Sequence, residues 1–341
     1  MSGYPVLQVP AGARFIAVGA AGAVFEDSNG VIKIPITHNL TGCSESTIKT
    51  MQHISYISDL CITREKLIYQ TLPKNPNILD CVDITEQGLH FPYYRFGDLR
   101  TYLRDNKPSE DIRQKWIKNA IDAITFIHSH GVVHCDISPR NFLVADDLSI
   151  KLCDFAGSVI SDMEAYVEEE DRYRLAPWTP RSFKTDLFAL GCLIYELSGG
   201  TRPYDEIEDV KEVARLYASQ NFPNLDGFKY QDLIYKSWTS AYTTVDMLRE
   251  DYYRIENPDT VSAGLASSLL WKPVVASVFG AICFGSVVFW APEAGFEMIE
   301  FCLLYARASC LELSALCSSR LTCFSIRASV YGTSSRRAFL S

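Results

Sequence analysis

The stretch His134-Cys135-Asp136-Ile137-Ser138-Pro139-Arg140-Asn141, followed thirteen residues after Asn141 by Asp154-Phe155-Ala156, constrains this chain more than any other. It sets out a carboxylate, an amide five residues on, and a second carboxylate after a short apolar stretch. Phe142-Leu143-Val144 and Ile150-Lys151-Leu152-Cys153 read as flanking strands. The strands are expected to be buried, and Asp136, Asn141 and Asp154 are expected to converge on one cleft. Such a set suits phosphoryl transfer, whose chemistry is mostly positioning plus neutralisation of phosphate charge by metal ions.

The two motifs resemble the catalytic loop and the metal-binding loop of eukaryotic protein kinases, His-Arg-Asp-x-x-x-x-Asn and Asp-Phe-Gly. Upstream, Arg14 to Val18, Ala23 to Phe25 and Val31 to Ile34 read as three short strands, with Asn29-Gly30 as a tight hairpin turn. Within them, Ala17-x-Gly19-x-x-Gly22-x-Val24 resembles the kinase glycine-rich loop with its first glycine replaced by alanine. Small residues there let backbone approach nucleotide phosphates. Lys33 follows among Val31, Ile32, Ile34 and Ile36, a setting in which a lone charge is expensive unless paired. Residues 62–69 are helical in pattern and precede Asn75-Pro76-Asn77-Ile78, which resembles the kinase His-Pro-Asn-Ile, so Glu65 is the acid best placed to meet Lys33. Residues 37–60 exceed the usual connection length, and their path stays open.

Further on, Tyr94 to Leu103 resembles the exit from the interlobe hinge and the helix after it. Ser109, Glu110 and Asp111 cap a helix whose apolar stripe is Trp116, Ala120, Ile121, Ile124 and Ile127, ended by Gly131. His128 and His130 sit at that helix end, where a structural role is preferred to metal binding. Asp186 to Leu197 is apolar nearly all round, as a helix central to a lobe would be, and resembles the kinase Asp-x-Trp/Phe-x-x-Gly helix. Gly200-Thr201-Arg202-Pro203-Tyr204 and Trp238 fit the segments that follow it.

The resemblance covers roughly residues 11–256 and implies an α+β, bilobal fold. A small, mainly antiparallel β lobe would span about 11–93 and a larger, mainly α lobe about 94–256. It implies ATP and Mg2+ as cofactors, with Gly19, Gly22, Val24 and Lys33 binding the nucleotide and Glu65 anchoring Lys33. Asn141 and Asp154 would hold the metal, and Asp136 would orient the acceptor hydroxyl of an unidentified protein substrate. Cys135 and Phe155-Ala156-Gly157 also resemble kinase-like proteins of filamentous fungi.

The departures matter as much as the matches. Cys135 stands where family members carry the arginine that grips a phosphorylated loop, so activation by loop phosphorylation loses its usual receptor. Ser138 replaces a phosphate-contacting lysine, and Arg140, placed as in tyrosine kinases, is assigned its charge. Ala156 restricts φ where glycine is usual, with Gly157 next in line. The Ala-Pro-Glu that closes the family's substrate loop is missing: Ala176-Pro177-Trp178 lacks the glutamate. Glu168-Glu169-Glu170-Asp171 reads as a solvated acidic loop, the alternatives being that it repels acidic substrates or holds the loop open. Two other function classes stay open: a pseudokinase acting as a binding or scaffold module, and a small-molecule phosphotransferase.

Composition limits the rest. A net charge of −9, with 26 basic and 37 acidic residues in the first 260, argues against nucleic acid as a partner. Eleven cysteines without a Cys-x-x-Cys pair suit reduced thiols and a cytoplasmic location. Beyond residue 257 the character changes. Pro273 to Trp290 is an uncharged run of 18 residues. The tail, 257–341, is open to three readings: membrane association through 273–290, a helix packed on the domain, or translated non-coding sequence. The kinase-like part is expected to fold without residues 261–341. Truncation at residue 258 should give a soluble, cooperatively unfolding protein, whereas rescue of folding only by restoring the apolar run would make that run part of the core.

Overall fold

The structure, a computed structural model, describes residues 3–28, 30–161, 163, 169–175 and 179–258. The tail assignments, the 176–178 motif, Asn29 and Glu168 lie outside the described residues. Two short strands, β1 (Val6–Leu7) and β5 (His38–Asn39), pair with each other beside the main sheet. That sheet is antiparallel and runs β2 (Arg14–Val18), β3 (Ala23–Asp27), β4 (Gly30–Ile34), β7 (Leu89–Phe91), β6 (Asp83–Ile84) in spatial order. Ala23, Phe25, Ile32 and Ile36 form its apolar floor.

Helix α1 (Glu45–Thr71) supplies the path that the sequence left open, since residues 45–60 are its first four turns. Its start is set by Ser44, whose side chain accepts a hydrogen bond from the Thr47 amide at 3.3 Å. The buried residues Ser58, Cys61, Ile62, Glu65 and Ile68 recur at helical spacing on one face. Ser58 is the rivet: its hydroxyl accepts from the Ile36 amide at 2.9 Å and donates to the Ala21 carbonyl at 2.9 Å. These two bonds tie α1 to the end of β4 and to the glycine-rich turn together.

The second lobe is mainly helical, which makes the molecule the α+β, two-lobed structure expected. It contains α2 (Leu99–Asp105), α3 (Glu110–Ser129), α4 (Phe183–Gly199), α5 (Val210–Ala218), α6 (Gln231–Trp238) and α7 (Val245–Glu256). Two small ribbons complete it, β8 (Val132–Val133) with β11 (Val159–Ile160) and β9 (Phe142–Val144) with β10 (Ile150–Leu152). Trp116, Ile121, Ile124 and Ile127 of α3 pack with Leu187, Leu190, Leu193 and Leu197 of α4 in one core. The indole of Trp116 donates to the Leu148 carbonyl at 2.8 Å, and that of Trp238 to Cys192 Sγ at 3.1 Å. Both aromatics are therefore buried with their polar atoms satisfied.

Helix α4 approaches α6 so closely at Gly191 that an added Cβ would lie 2.6 Å from Ser237 Cβ. Gly191→Ala should therefore destabilise the domain by about 1–3 kcal/mol through overpacking. A fall in thermal midpoint of the full chain checks this, and an unchanged midpoint would show that the two helices can separate freely.

Candidate active site

Lys33 of β4 is nine-tenths buried, and its ammonium meets two carboxylates: Glu65 Oε2 at 2.6 Å and Asp154 Oδ1 at 2.7 Å. Burial works against the charged ammonium, but the two acids outweigh it and hold the Lys33 pKa above its ordinary value. For Asp154, burial likewise opposes ionisation, and the charge of Lys33 with its hydrogen bond overrides this, leaving the pKa lowered. Glu65 spans further, because its Oε1 accepts from the Phe155 amide at 3.2 Å. One helical acid thus joins β4 to the loop after β10.

That loop is locked on its other side as well. The Phe155 ring is fully buried, edge-on to Tyr69 of α1 at 5.3 Å and to His134 at 5.3 Å. Arg64, one residue before Glu65, donates to the Ser158 carbonyl at 2.6 Å. Ala156 packs with Ala21 and Cys61. The residue with a left-handed backbone is Asp154, at φ 63°, so the alanine in place of glycine meets no φ penalty here.

The catalytic-loop residues Asp136 and Asn141 face the same cleft. Asn141 Nδ2 donates to the Asp136 carbonyl at 2.6 Å and to Asp136 Oδ2 at 2.8 Å. His134 Nδ1 accepts from the Asp136 amide at 3.3 Å, which leaves Nε2 as the donor to the Cys153 carbonyl at 3.0 Å. The imidazole thus staples one carboxylate-bearing loop to the other. Burial pushes the Asp136 carboxyl above its ordinary pKa, partly offset by His134 and by the Asn141 hydrogen bond.

The cleft encloses about 720 Å3. Gly19, Gly22 and Val24 line it from the first lobe, Leu143 from the second, and Lys33, Glu65, Asp136, Arg140, Asn141 and Asp154 at its polar end. That size and polarity suit a nucleotide. The Gly19 amide donates to the Gly22 carbonyl at 3.0 Å, closing the small-residue turn over the cleft. At Gly22 a Cβ would stand 3.0 Å from the Ile34 carbonyl oxygen, so a side chain there would push the turn away by a few tenths of an ångström.

Asn141 and Asp154 both line the polar end of the cleft and offer oxygen donors there. Asn141 commits its amide nitrogen to Asp136, so its remaining polar atom is an oxygen acceptor. Asp154 gives Oδ1 to Lys33 and retains Oδ2 on a side chain 41% exposed. Two oxygen donors beside the cleft fit a hard divalent cation.

The anchor of the catalytic loop escaped the sequence reading. Asp186, legible only as the start of α4, is 1% exposed; its Oδ2 accepts from the His134 amide at 2.7 Å and its Oδ1 from the Cys135 amide at 2.9 Å. His128 Nε2 completes the set at 2.9 Å from Asp186 Oδ2, so this helix-end histidine supports the loop anchor. Cys135 can then adopt φ 68°. Burial pushes its thiol far up, with Asp186 and Glu169 adding to the effect.

The acidic segment is the clear correction. Glu169 and Glu170 do not lie in a solvated loop. Glu169 is 4% exposed and pairs with Arg181 at 2.7 Å and Arg174 at 3.8 Å. Glu170 pairs with Arg100, Arg140 and Arg202 at 2.6, 3.2 and 3.6 Å. Arg140 Nη2 is thereby engaged by Glu170 as well as lining the cleft. A run of acids reads as a surface when its cationic partners are scattered along the chain.

A sheet lobe and a helical lobe around a Lys–Glu–Asp cluster, with an Asp–Asn pair opposite, define the class of protein-kinase-like folds. Residues 36–249 match the protein kinase domain family, and the chain belongs to that family. The matched range begins just after Lys33, so the glycine-rich turn and that lysine rest on the geometry. Similar proteins include CBL-interacting protein kinase 26 of Oryza sativa subsp. japonica, 25% identical over 229 residues, 60% of this chain and 45% of that one. Serine/threonine-protein kinase RUNKEL of Arabidopsis thaliana is 31% identical over 163 residues, 44% of this chain and 12% of the relative. 3-phosphoinositide-dependent protein kinase 1 of the same plant is 32% identical over 154 residues, 38% of this chain and 30% of the relative. The chain spans less than half the length of each of these relatives.

Asp186→Ala should leave the His134 and Cys135 amides buried without an acceptor, at about 1–3 kcal/mol each. Thermal stability of the full chain should fall, with the catalytic loop becoming the fastest-exchanging buried segment by hydrogen exchange. Unchanged exchange at residues 134–136 would show that Asp186 does not anchor the loop.

Proposed function

We propose that the protein is an ATP- and Mg2+-dependent protein kinase that transfers the γ-phosphate to a serine or threonine hydroxyl. Tyrosine is retained as an acceptor because Arg140 precedes Asn141 as it does in tyrosine kinases. The observation that carries the reading is the Lys33 ammonium held between Glu65 and Asp154 inside the cleft. A buried cation so placed can bind the α- and β-phosphates without the cost of being ordered first.

In the reaction, the acceptor oxygen forms its bond to the γ-phosphorus as the bond from that phosphorus to the β,γ-bridging oxygen breaks. Asp136 orients the acceptor hydroxyl and takes its proton; Asn141 holds the Asp136 carboxylate through the bond at 2.8 Å. Asn141 and Asp154 would hold Mg2+, which when bound offsets the charge on the phosphates. The glycine-rich turn covers the phosphates and excludes water. A cytoplasmic location is part of this reading, supported by the free cysteines among the described residues. Cys135 and Ala156-Gly157 support a place beside the fungal kinase-like proteins. Cys135 also supports activity that needs no phosphate in the substrate loop, since a buried thiol offers no cation to receive one.

Asp136→Ala should lower transfer to a Ser/Thr peptide acceptor by about 10²–10⁴-fold while a fluorescent ATP analogue binds nearly as before. Equal loss of binding and turnover would give Asp136 a structural role. Nucleotide binding without transfer by the wild-type full chain would select the scaffold reading, and transfer to a small molecule alone the third.

The pH profile has a defined sign. A base must be ionised to work, and burial raises the Asp136 pKa. Activity should be full above that raised value and fall as pH drops through it, above the range of an exposed aspartate. An acidic limb at the ordinary aspartate position would remove Asp136 as the titrating base.

A further inference from the structure

Glu170 is a single carboxylate approached by guanidinium groups from three separate parts of the lobe. Arg100 comes from α2, Arg140 from the catalytic loop next to Asn141, and Arg202 from the loop after α4. The Glu170 side chain is only 14% exposed, so these charges act across little water. Arg100 continues the network, reaching the Tyr173 hydroxyl at 3.0 Å and Glu196 Oε2 at 3.3 Å. Arg202 also holds Asp205, at 2.8 and 2.6 Å.

The backbone beside Glu170 is fastened as tightly. The Tyr173 amide donates to the Glu170 carbonyl at 2.7 Å, and the Tyr173 ring is fully buried. The Tyr217 hydroxyl donates to the Arg172 carbonyl at 2.9 Å, and Arg172 itself reaches the carbonyls of Tyr204 and Ile207. Glu169 binds Arg181 and Arg174 on the opposite side. Residues 169–175 are therefore held by charge, and Glu170 is their link to the catalytic loop through Arg140.

We propose that Glu170 is a positioning residue, the resident anion of a three-arginine socket that holds the substrate loop against the catalytic loop. A phosphate added to a loop does this work by pairing with cations. Here a carboxylate encoded in the sequence does it permanently, at a different place from Cys135. The socket recognises an oxyanion, so when the Glu170 side chain is removed it should accept inorganic phosphate. The inference deepens the kinase reading and rests on it for the activity measurements only.

The test uses the phosphatase-treated full chain with Glu170→Ala and with Glu170→Gln, which keeps the shape and removes the charge. Tryptic cleavage after Arg172 and Arg174 should accelerate at least about tenfold in both variants, because the charged hydrogen bond from Arg100 alone is worth that much or more. Inorganic phosphate should slow cleavage of the Ala variant, more than chloride does at equal ionic strength. In transfer assays, kcat/KM for a Ser/Thr peptide should fall in both variants and recover in the Ala variant with phosphate. KM for ATP should stay within about twofold, since Lys33 and its partners are untouched.

Wild-type cleavage rates in both variants would overturn the proposal. So would loosening that phosphate relieves no better than chloride. If Glu170→Ala melts too early to be compared, Glu170→Gln carries the cleavage comparison at the same temperature. A wild-type chain that transfers no phosphate would defeat the kinase reading, and the cleavage measurements would still decide the socket.

Discussion

The interaction on which the site depends is the buried Lys33 ammonium between two acids. A lone ammonium so far from water would lose its charge or be expelled from the sheet. It stays because Glu65 of α1 and Asp154 of the loop after β10 both reach it. Each partner belongs to a different element, so the cluster forms only when the sheet, the long helix and the second lobe's ribbon are all in place. The buried cation of the cleft is therefore a product of assembly.

Asp186 performs the corresponding task for the catalytic loop. Between β8 and the Pro139–Asn141 turn the chain must pass through a left-handed residue at Cys135, which strands two amides in the interior. Asp186 takes both, one on each carboxylate oxygen, and His128 closes the arrangement from α3. Since α3 and α4 form the main helical core, the position of Asp136 is set by the packing of that core. His134 then transmits it to Cys153 and the Asp154 loop.

The substrate loop follows another rule. Its described part is held by glutamates inside arginine clusters, and the clusters partly neutralise their own acids. Glu196, under the same network, has its carboxyl pushed up to about 7 by burial, with Arg100 opposing and Glu170 reinforcing the shift. Such networks are costly to leave half-satisfied, and that cost selects one loop arrangement over many.

The sequence carried the class of fold through its resemblance to protein kinases, and it named residues that meet in the cleft. Strand alternation, the stripe of α3 and the apolar α4 are local periodicities, and Asp136, Asn141 and Asp154 lie on one short stretch whose spacing survives folding. Lys33 was legible from its apolar neighbours, and Glu65 from helical phase. The first four turns of α1 were not legible, because their tethers run from Ser58 to Ile36 and Ala21, across 22 and 37 residues. Only the tertiary structure decided what Asp186, Glu169 and Glu170 do. Their partners are dispersed along the chain: Arg100 and Glu170 lie 70 residues apart, and Asp186 and the His134 amide 52. An acid's role depends on whether water or a guanidinium surrounds it, and that choice is made when distant elements pack.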